Sequence, residues 1–362
     1  MTDIDGFDLI APKAYGAQGV PHDQWRELRK LDRLHHCEPE GFDAFYPVVH
    51  HDQICEISKQ PALFLNRFGI VLESARQREI LEANQGIGQM RAIIGMDPPE
   101  HRDYRKIAAP WFTPSAIERA APIVEESARS LVDALVARAS GGEGECDFAN
   151  DIAAAHPLRV LSSILGVPRE QEPKLLQLTN ELFASDDPDL QRKGEDQSKV
   201  VQELAMEFFQ LFNAIIEDRR ANPTDDLASL LANGKLNGEH MGMMETLGYF
   251  LITFTAGHDT TKNALAGGIR ALAEHPAEFE KLRRNPDLVP SAVEEIVRWT
   301  SPVNYMKRVV AEDLEFRGQK LRKGENLVLF YSSANRDESV FEDPYTFRID
   351  RDPNPHLAFG IG

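Results

Sequence analysis

The chain has 362 residues, of which 42% are hydrophobic, and carries a formal net charge of −18 at pH 7. The apolar fraction allows a substantial core, whereas the acidic balance excludes a nucleic-acid partner, because phosphate recognition needs clustered Lys and Arg. The acidic N-terminus is no signal peptide and no apolar run could span a bilayer, so we expect a soluble, cytoplasmic protein. Three cysteines, Cys37, Cys55 and Cys146, lack metal-ligand spacing and are too few for a disulfide framework.

No linker, repeat or low-complexity run divides the chain, so we expect one domain over 1–362. A short strand is predicted at Ala44–His50, and helical periodicity dominates after about residue 97. Amphipathic helices are predicted over 115–138 and 199–220, and a long apolar helix is predicted over 243–274. Further strands are predicted over 305–310, 313–321, with a tight turn at Arg317-Gly318, and 326–332. The expected fold class is mainly α with a smaller β portion (α+β).

Two segments carry helix-start signals. Asp97-Pro98-Pro99-Glu100 predicts a helix with Asp97 as its N-cap, and His101 and Arg105 then share one face. That face is either solvated or presents two donors to an anionic group. Ser291-Ala292-Val293-Glu294 predicts a second capped helix, in which Glu295 and Arg298 lie three residues apart on one face. Taken alone, this pair is typical of a surface ion pair.

The long helix predicted over 243–274 contains the run Ala256-Gly257-His258-Asp259-Thr260-Thr261 at its centre. Gly costs about 1 kcal/mol against Ala in a helix, and an ionisable group in an apolar interior costs several more unless it is paired or neutral. The Thr residues could bond back to the preceding turn, and the Gly could allow close packing between helices. The complete run favours a site where a molecule docks against the helix and receives protons.

These motifs together resemble the cytochrome P-450 family of haem-thiolate monooxygenases, in its soluble bacterial form, over nearly the whole chain. The run 256–261 is similar to the oxygen-activation motif of the family's long central helix over the haem. Glu295-Ile296-Val297-Arg298 is similar to its Glu-x-x-Arg, and Arg351 falls at the second Arg of its Glu–Arg–Arg cluster. Asn335-Arg336-Asp337 and 341–347 match the usual approach to that cluster. The resemblance implies the cytochrome P-450 fold and haem b as the cofactor.

The resemblance also implies roles for individual residues. Asp259 and Thr260 would be catalytic as an acid–alcohol pair, with Thr260 hydrogen-bonding dioxygen and Asp259 relaying protons. Gly257 would leave room for dioxygen. Glu295, Arg298 and Arg351 would form a buried structural network. Haem contacts are expected from residues of several motifs: His101, Arg105, Arg308 and His356 as propionate donors, and Ala256, Gly257 and Phe359.

Substrate contacts are expected from the segment of about 68–90, with Phe68 and Ile70, from Phe254 of the long helix, and from the segment 303–306, with Val303 and Met306. The family's haem-ligand motif runs Phe-Gly-x-Gly-x-His-x-Cys-x-Gly, and here Phe359-Gly360-Ile361-Gly362 begins it. We therefore expect the axial Cys just beyond Gly362, followed by a further helix, and no metal ligand within the 362 residues. None of Cys37, Cys55 and Cys146 matches the ligand position.

The expected function is a monooxygenase that uses O2 to hydroxylate a lipophilic small molecule of sterol, terpenoid or fatty-acyl type. Electrons would come from NAD(P)H through a ferredoxin reductase and a ferredoxin, with Arg102, Arg105 and Lys106 supplying charge for docking. Two alternatives stay open. A haem peroxygenase or isomerase would need no electron supply, although such relatives often lose the acid–alcohol pair. A non-catalytic helical scaffold would bind no haem.

Overall fold

The computed structural model describes residues 4–83, 92–142, 144–183 and 197–361. The α-helices are α1 Phe7–Ile10, α2 Pro12–Gln18, α3 His22–Leu28, α4 His51–Ser58, α5 Ala75–Ala83, α6 Glu100–Ala108, α7 Pro114–Ser140, α8 Ala155–Ile164, α9 Glu172–Phe183, α10 Gln197–Ala221, α11 Leu227–Ala232, α12 Met243–Glu274, α13 Pro276–Arg284, α14 Val289–Thr300 and α15 Tyr331–Ala334. The strands are β1 Phe45–Val48, β2 Phe64–Leu65, β3 Lys235–Leu236, β4 Glu239–His240, β5 Tyr305–Val310, β6 Leu314–Phe316, β7 Gln319–Leu321 and β8 Asn326–Phe330.

The chain divides into two compact units. The sheet unit comprises Met1–Arg78 and Ala264–Gly362, and the helical unit comprises Glu79–Asn263. The single domain expected over 1–362 stays a prediction. No helix of the described residues is long and apolar enough to cross a membrane.

The sheet unit is built on a four-stranded sheet in the order β1-β8-β5-β2. Strand β1 runs parallel to β8, while β5 pairs antiparallel with both β8 and β2. Because side chains alternate along a strand, β8 contributes to two apolar clusters, one on each face. Leu327 and Leu329 pack with Val310 on one face, and Val328 and Phe330 pack against the N-terminal helices on the other.

The helical unit has one large apolar core, formed where α10, α11 and α12 meet. Phe212 of α10 lies 5.6 Å from Phe250 of α12, measured between ring centroids, and both are fully buried. Helix α12 has 32 residues and is therefore about 48 Å long. Its last residues belong to the sheet unit, since the division between units falls after Asn263.

The mainly α fold with a smaller β portion is confirmed. The predicted bounds of α12 and β5 agree with the structure, and the predicted turn at Arg317-Gly318 joins β6 to β7. Both predicted caps are wrong. Helix α6 has Pro99 rather than Asp97 at its N-cap, and α14 begins at Val289, so the hydroxyl of Ser291 donates to the Leu288 carbonyl inside the first turn.

Candidate active site

The accessible face of α12 carries the predicted alcohol. Ala256 is exposed and Thr260 is half-buried, although most of the helix is apolar. The Thr260 hydroxyl donates a hydrogen bond of 2.6 Å to the Ala256 carbonyl, one turn earlier. This bond satisfies the hydroxyl within a helix, and the Thr260 oxygen can still accept a hydrogen bond from another molecule.

The predicted acid is held at the surface of the same helix. The Asp259 carboxylate accepts a 3.0 Å hydrogen bond from the Asn263 side chain, and the Lys262 ammonium lies 3.9 Å from its other oxygen. Its side chain is 34% exposed. Asp259 is therefore oriented by neighbours three and four residues on, while solvent can still reach it.

Gly257 and His258 fix the helix to its neighbours. A Cβ on Gly257 would lie only 3.0 Å from a methyl group of Leu161 on α8. The missing side chain therefore serves close helix packing, one of the two interpretations left open by the sequence. His258 is 1% exposed and donates from Nε2 to the Ala154 carbonyl at 3.1 Å. Burial lowers the pKa of His258, which keeps the ring neutral. Its partner lies 104 positions away, so the sequence analysis missed this anchor.

Phe254 is the predicted substrate contact that the structure does not support. It is 0% exposed and stacks on the His258 ring at a centroid distance of 5.6 Å. A side chain with no accessible surface cannot contact a substrate in this conformation. Phe254 belongs to the core of the helical unit, and its size and burial stabilise α12.

On α6, the two predicted donors share one face. Arg105 is exposed, and it forms no ion pair within the described part of the chain. His101 is half-buried, and its pKa is lowered by burial and by the nearby Arg105 guanidinium. The Tyr249 hydroxyl donates to the Tyr104 carbonyl at 3.1 Å and ties α6 to α12. Asp97 attracts the His101 ring electrostatically, whereas the Arg105 guanidinium has no ion pair with a described carboxylate and remains available as a donor.

In the sheet unit, Arg308 and His356 differ in what they offer. The Arg308 guanidinium donates to the Lys307 carbonyl at 2.9 Å and hydrogen-bonds Tyr331, and no described carboxylate pairs with it. His356 is already satisfied, since Nε2 donates to Glu294 at 2.8 Å and Nδ1 accepts from the Ala358 amide at 3.4 Å. The structure thus gives His356 a carboxylate partner, and its predicted role as a propionate donor stays a prediction.

The predicted network of Glu295, Arg298 and Arg351 is assembled and buried. The side chains of Glu295 and Arg298 are 0% exposed, which rules out the surface ion pair that the spacing alone suggested. Arg298 donates to both Glu295 oxygens at 2.7 and 2.8 Å, and Arg351 donates to one of them at 3.1 Å. The remaining guanidinium hydrogens bond to backbone carbonyls of the segment 335–346, so the network fixes that segment on α14.

A third buried arginine extends this network and was not assigned a role from the sequence. Arg336 is 3% exposed and donates to the carbonyls of Arg298 and Trp299 at 3.0 and 2.8 Å. Its guanidinium also lies 4.4 Å from the centroid of the Trp299 ring. Burial lowers the pKa of Arg336 to about 9. The motif Asn335-Arg336-Asp337 was the available signal, but nothing in its spacing indicates burial.

The remaining predicted contacts lie in the sheet unit. Phe68 is 58% exposed, and Phe359 is 81% exposed. Val303 and Met306 are half-buried and pack beside the sheet, and Ile70 is half-buried next to β5. Residues 84–90 of the predicted substrate segment, and Gly362 of the ligand motif, lie outside the described residues.

The donor set fits a haem. In the helical unit, His101 and Arg105 form no ion pair with a described carboxylate, and in the sheet unit the same holds for Arg308. Each unit therefore presents donors that could bind a carboxylate such as a haem propionate. Burial raises the pKa of the Cys37 thiol to about 12, and burial also raises the pKa of the Cys55 thiol, so neither of these two side chains is held as a thiolate in this structure. Within the described residues, no three His, Cys, Asp or Glu side chains are grouped as metal ligands.

Comparison with known proteins adds the family to this geometry. The family model described as Cytochrome P450 matches residues 71–362. Cytochrome P450-terp from Pseudomonas sp is 36% identical, over 98% of this chain and 84% of its own length. Linalool 8-monooxygenase from Pseudomonas putida is 34% identical, over 98% of this chain and 86% of its own length. Among solved structures, CYP108D1 from Novosphingobium aromaticivorans superimposes with a TM-score of 0.89 at 35% identity, covering 99% of this chain and 85% of that one.

Proposed function

Since this chain belongs to the cytochrome P450 family, we propose that it hydroxylates a lipophilic small molecule, with a terpenoid as the favoured class. The family supplies the monooxygenase class and thiolate-ligated haem b. The observation that carries the proposal is the Asp259–Thr260 pair on the accessible face of α12. Terpenoids are favoured because linalool, named in one relative at 98% coverage, is a terpenoid alcohol. Sterol and fatty-acyl substrates remain the other candidates.

When bound, haem supplies the activation of dioxygen. His101 and Arg105 on α6 and Arg308 on β5 would hold it by donating to its propionates, because each has donor capacity unmatched by a described carboxylate. His356 would instead stabilise the ligand loop through Glu294. The buried network at Glu295 would keep the segment 335–346, which precedes the haem-ligand motif, in position, since both arginines donate to backbone carbonyls of that segment.

The chain's own residues would handle the protons. The Thr260 hydroxyl can exchange its bond to the Ala256 carbonyl for one to dioxygen or water, since the helix tolerates loss of this back-bond. Asp259, solvent-accessible and oriented by Asn263, would pass protons from water toward Thr260. A positioned acid of this kind accelerates proton transfer about 10²–10⁴-fold.

A ferredoxin, supplied by a reductase from NAD(P)H, would deliver the electrons. Arg102 and Lys106 are both exposed on α6. They lie four residues apart on one side of the helix, and each directly follows one of the predicted donors, His101 and Arg105. Lys106 is paired with Asp103 at 2.9 Å, so Arg102 presents the less compensated charge. Acidic groups on a ferredoxin would complement it. The proposal places the enzyme in the cytoplasm, where NAD(P)H is available.

The test is a carbon-monoxide difference spectrum of the reduced, full natural chain, followed by turnover of linalool with NADPH, ferredoxin reductase and ferredoxin. A strongly red-shifted Soret band with hydroxylated product supports the proposal. Product formed with hydrogen peroxide alone, and not with the electron-transfer chain, would establish the peroxygenase alternative. Absence of any haem signal would establish the non-catalytic scaffold.

A further inference from the structure

Lys307 on β5 is a buried lysine whose ammonium lacks a close partner. The residue is 8% exposed, and among the described residues its Nζ makes no hydrogen bond and no ion pair within 4.0 Å. Nζ is not among the fully buried side-chain nitrogens and keeps some contact with water, but most of the side chain is covered. The reduced hydration of the ammonium is costly unless nearby charges compensate for it. Burial accordingly lowers the pKa of Lys307.

The surroundings are the segment that follows β2. The β2 ladder to β5 ends at Leu65, opposite Val309, and the Lys307 amide donates to the Ile70 carbonyl at 2.6 Å. Between these two anchors, the Gly69 amide bonds to the Asn66 carbonyl at 3.0 Å in a turn. Gly69 has a φ of +90°, and Phe68 beside it is 58% exposed. The turn is therefore attached to β5 at both ends by backbone bonds, and its tip is accessible.

The Lys307 ammonium lies against this same turn. A Cβ on Gly69 would be 3.5 Å from Lys307 Nζ and 3.9 Å from Glu73 Oε1, so both charged groups flank Gly69. Glu73 and Asp43 attract the ammonium, and Arg78 repels it. Asp43 is already paired with Arg78. Glu73 is thus the carboxylate that remains to compensate Lys307.

We propose that Lys307 is a positioning residue, which through its attraction to Glu73 holds the segment 66–73, and with it Phe68 and Ile70, in place for substrate binding. This inference rests on the proposed function, since Phe68 and Ile70 are substrate contacts only in a P450 of that kind. Lys307 faces the opposite side of β5 from Met306 and Arg308, because side chains alternate along a strand. It therefore acts through the segment rather than on the substrate.

The test compares Lys307→Met with Lys320→Met, a lysine of β7 that is exposed. Met keeps the length and packing of the stem and removes the charge. The first measurement is hydrogen exchange of the peptide that spans 66–74, in the haem-loaded full chain. The second is the dissociation constant of linalool, followed by the shift of the Soret band. For Lys307→Met we expect exchange faster by about threefold to tenfold and weaker linalool binding by a similar factor.

Three further variants separate positioning from general destabilisation. Glu73→Gln should reproduce the effect, and the double variant should be no worse than Lys307→Met alone, because both remove one interaction. Lys307→Arg should restore most of the linalool affinity. The rate of turnover at saturating linalool should stay unchanged in all of these variants. The linalool concentration for half-saturation should rise in Lys307→Met, Glu73→Gln and the double variant, and should return towards the parent value in Lys307→Arg.

The exchange rates and the linalool affinities together decide whether Lys307 positions the segment 66–73. Unchanged exchange over 66–74 in Lys307→Met would overturn the inference, as would faster exchange with unchanged linalool affinity. Additive effects of Lys307→Met and Glu73→Gln would also overturn it. If the parent protein itself gives no Soret shift with linalool, the terpenoid proposal fails, while hydrogen exchange still decides whether Lys307 holds the segment.

Discussion

Replacing Glu295 with Gln probes the buried network more directly than any other single change. Gln preserves the shape of the side chain and removes its charge. The carboxylate accepts hydrogen bonds from Arg298 at 2.7 and 2.8 Å, from Arg351 at 3.1 Å, from the Arg348 amide at 2.9 Å and from Asn354 at 3.3 Å. In the variant, two buried guanidiniums lose their shared counter-charge, and an amide NH2 faces donors where an oxygen stood.

The magnitude follows from the burial. Breaking a buried ion pair by removing one partner costs about 3–5 kcal/mol, because an uncompensated charge is left behind. Both Glu295 and Arg298 are 0% exposed, so water cannot compensate. Typical proteins have only about 5–15 kcal/mol of stability in total. We therefore expect a large decrease in the free energy of unfolding of Glu295→Gln.

The assay is urea denaturation followed by far-ultraviolet circular dichroism, on the parent, on Glu295→Gln and on Glu274→Gln. Glu274 pairs with Arg270 on the surface, so its variant should leave the denaturation midpoint unchanged. A loss of less than about 1 kcal/mol in Glu295→Gln would mean that the carboxylate does not compensate the two buried arginines.

Three further predictions concern α12 and the N-terminal helices. Thr260→Ala should raise the peroxide released per NADPH consumed, because the side-chain hydroxyl is lost, whereas Thr260→Ser keeps the hydroxyl and should behave like the parent. Equal peroxide release in Thr260→Ala and in the parent would contradict the role of Thr260. Gly257→Ala should lower the thermal stability, since the new Cβ would lie 3.0 Å from a methyl group of Leu161. The double variant Gly257→Ala, Leu161→Ala should recover part of this loss. No recovery would rule out this contact as the cause. Burial and nearby arginines lower the pKa of His22 in the folded protein to about 4 from 6.5. Between pH 6.5 and 4 the His22 ring is therefore protonated in the unfolded chain but stays neutral in the folded one. The free energy of unfolding should accordingly fall by up to about 3 kcal/mol as pH drops through this range. His22→Phe should show a shallower fall in urea titrations across that range, and an identical slope would count against the assignment.

Local pattern was sufficient for the elements that carry the site. The bounds of α12 could be predicted because its apolar residues recur at helical spacing, and those of β5 because its aromatic and β-branched residues, Tyr305, Val309 and Val310, favour a strand. The two predicted N-caps were wrong because they were placed from local polar residues alone. Pro99 and Leu288 occupy N-cap positions without side-chain hydrogen bonds, so the polar signals at Asp97 and Ser291 pointed to the wrong residues.

Within the site, the sequence identified the residues but not always their partners. It placed Asp259 and Thr260 on one helix, and the resemblance grouped Glu295, Arg298 and Arg351. It could not show that Phe254 is fully buried, because the same periodicity is typical of core and of pocket-lining faces. Nor could it show that the His356 ring is already bonded to Glu294, 62 positions away.

The sequence by itself determined what depends on neighbouring residues: the helices and strands, the acid–alcohol pair and the motifs that indicate the family. Only the tertiary structure decided what depends on burial and distant contacts. It turned a common i,i+3 pair into a buried network, it set Gly257 against Leu161, and it left Lys307 buried beside Glu73. Desolvation and packing depend on residues that are far apart in the chain, and the spacing of residues along the sequence does not show which of these come into contact.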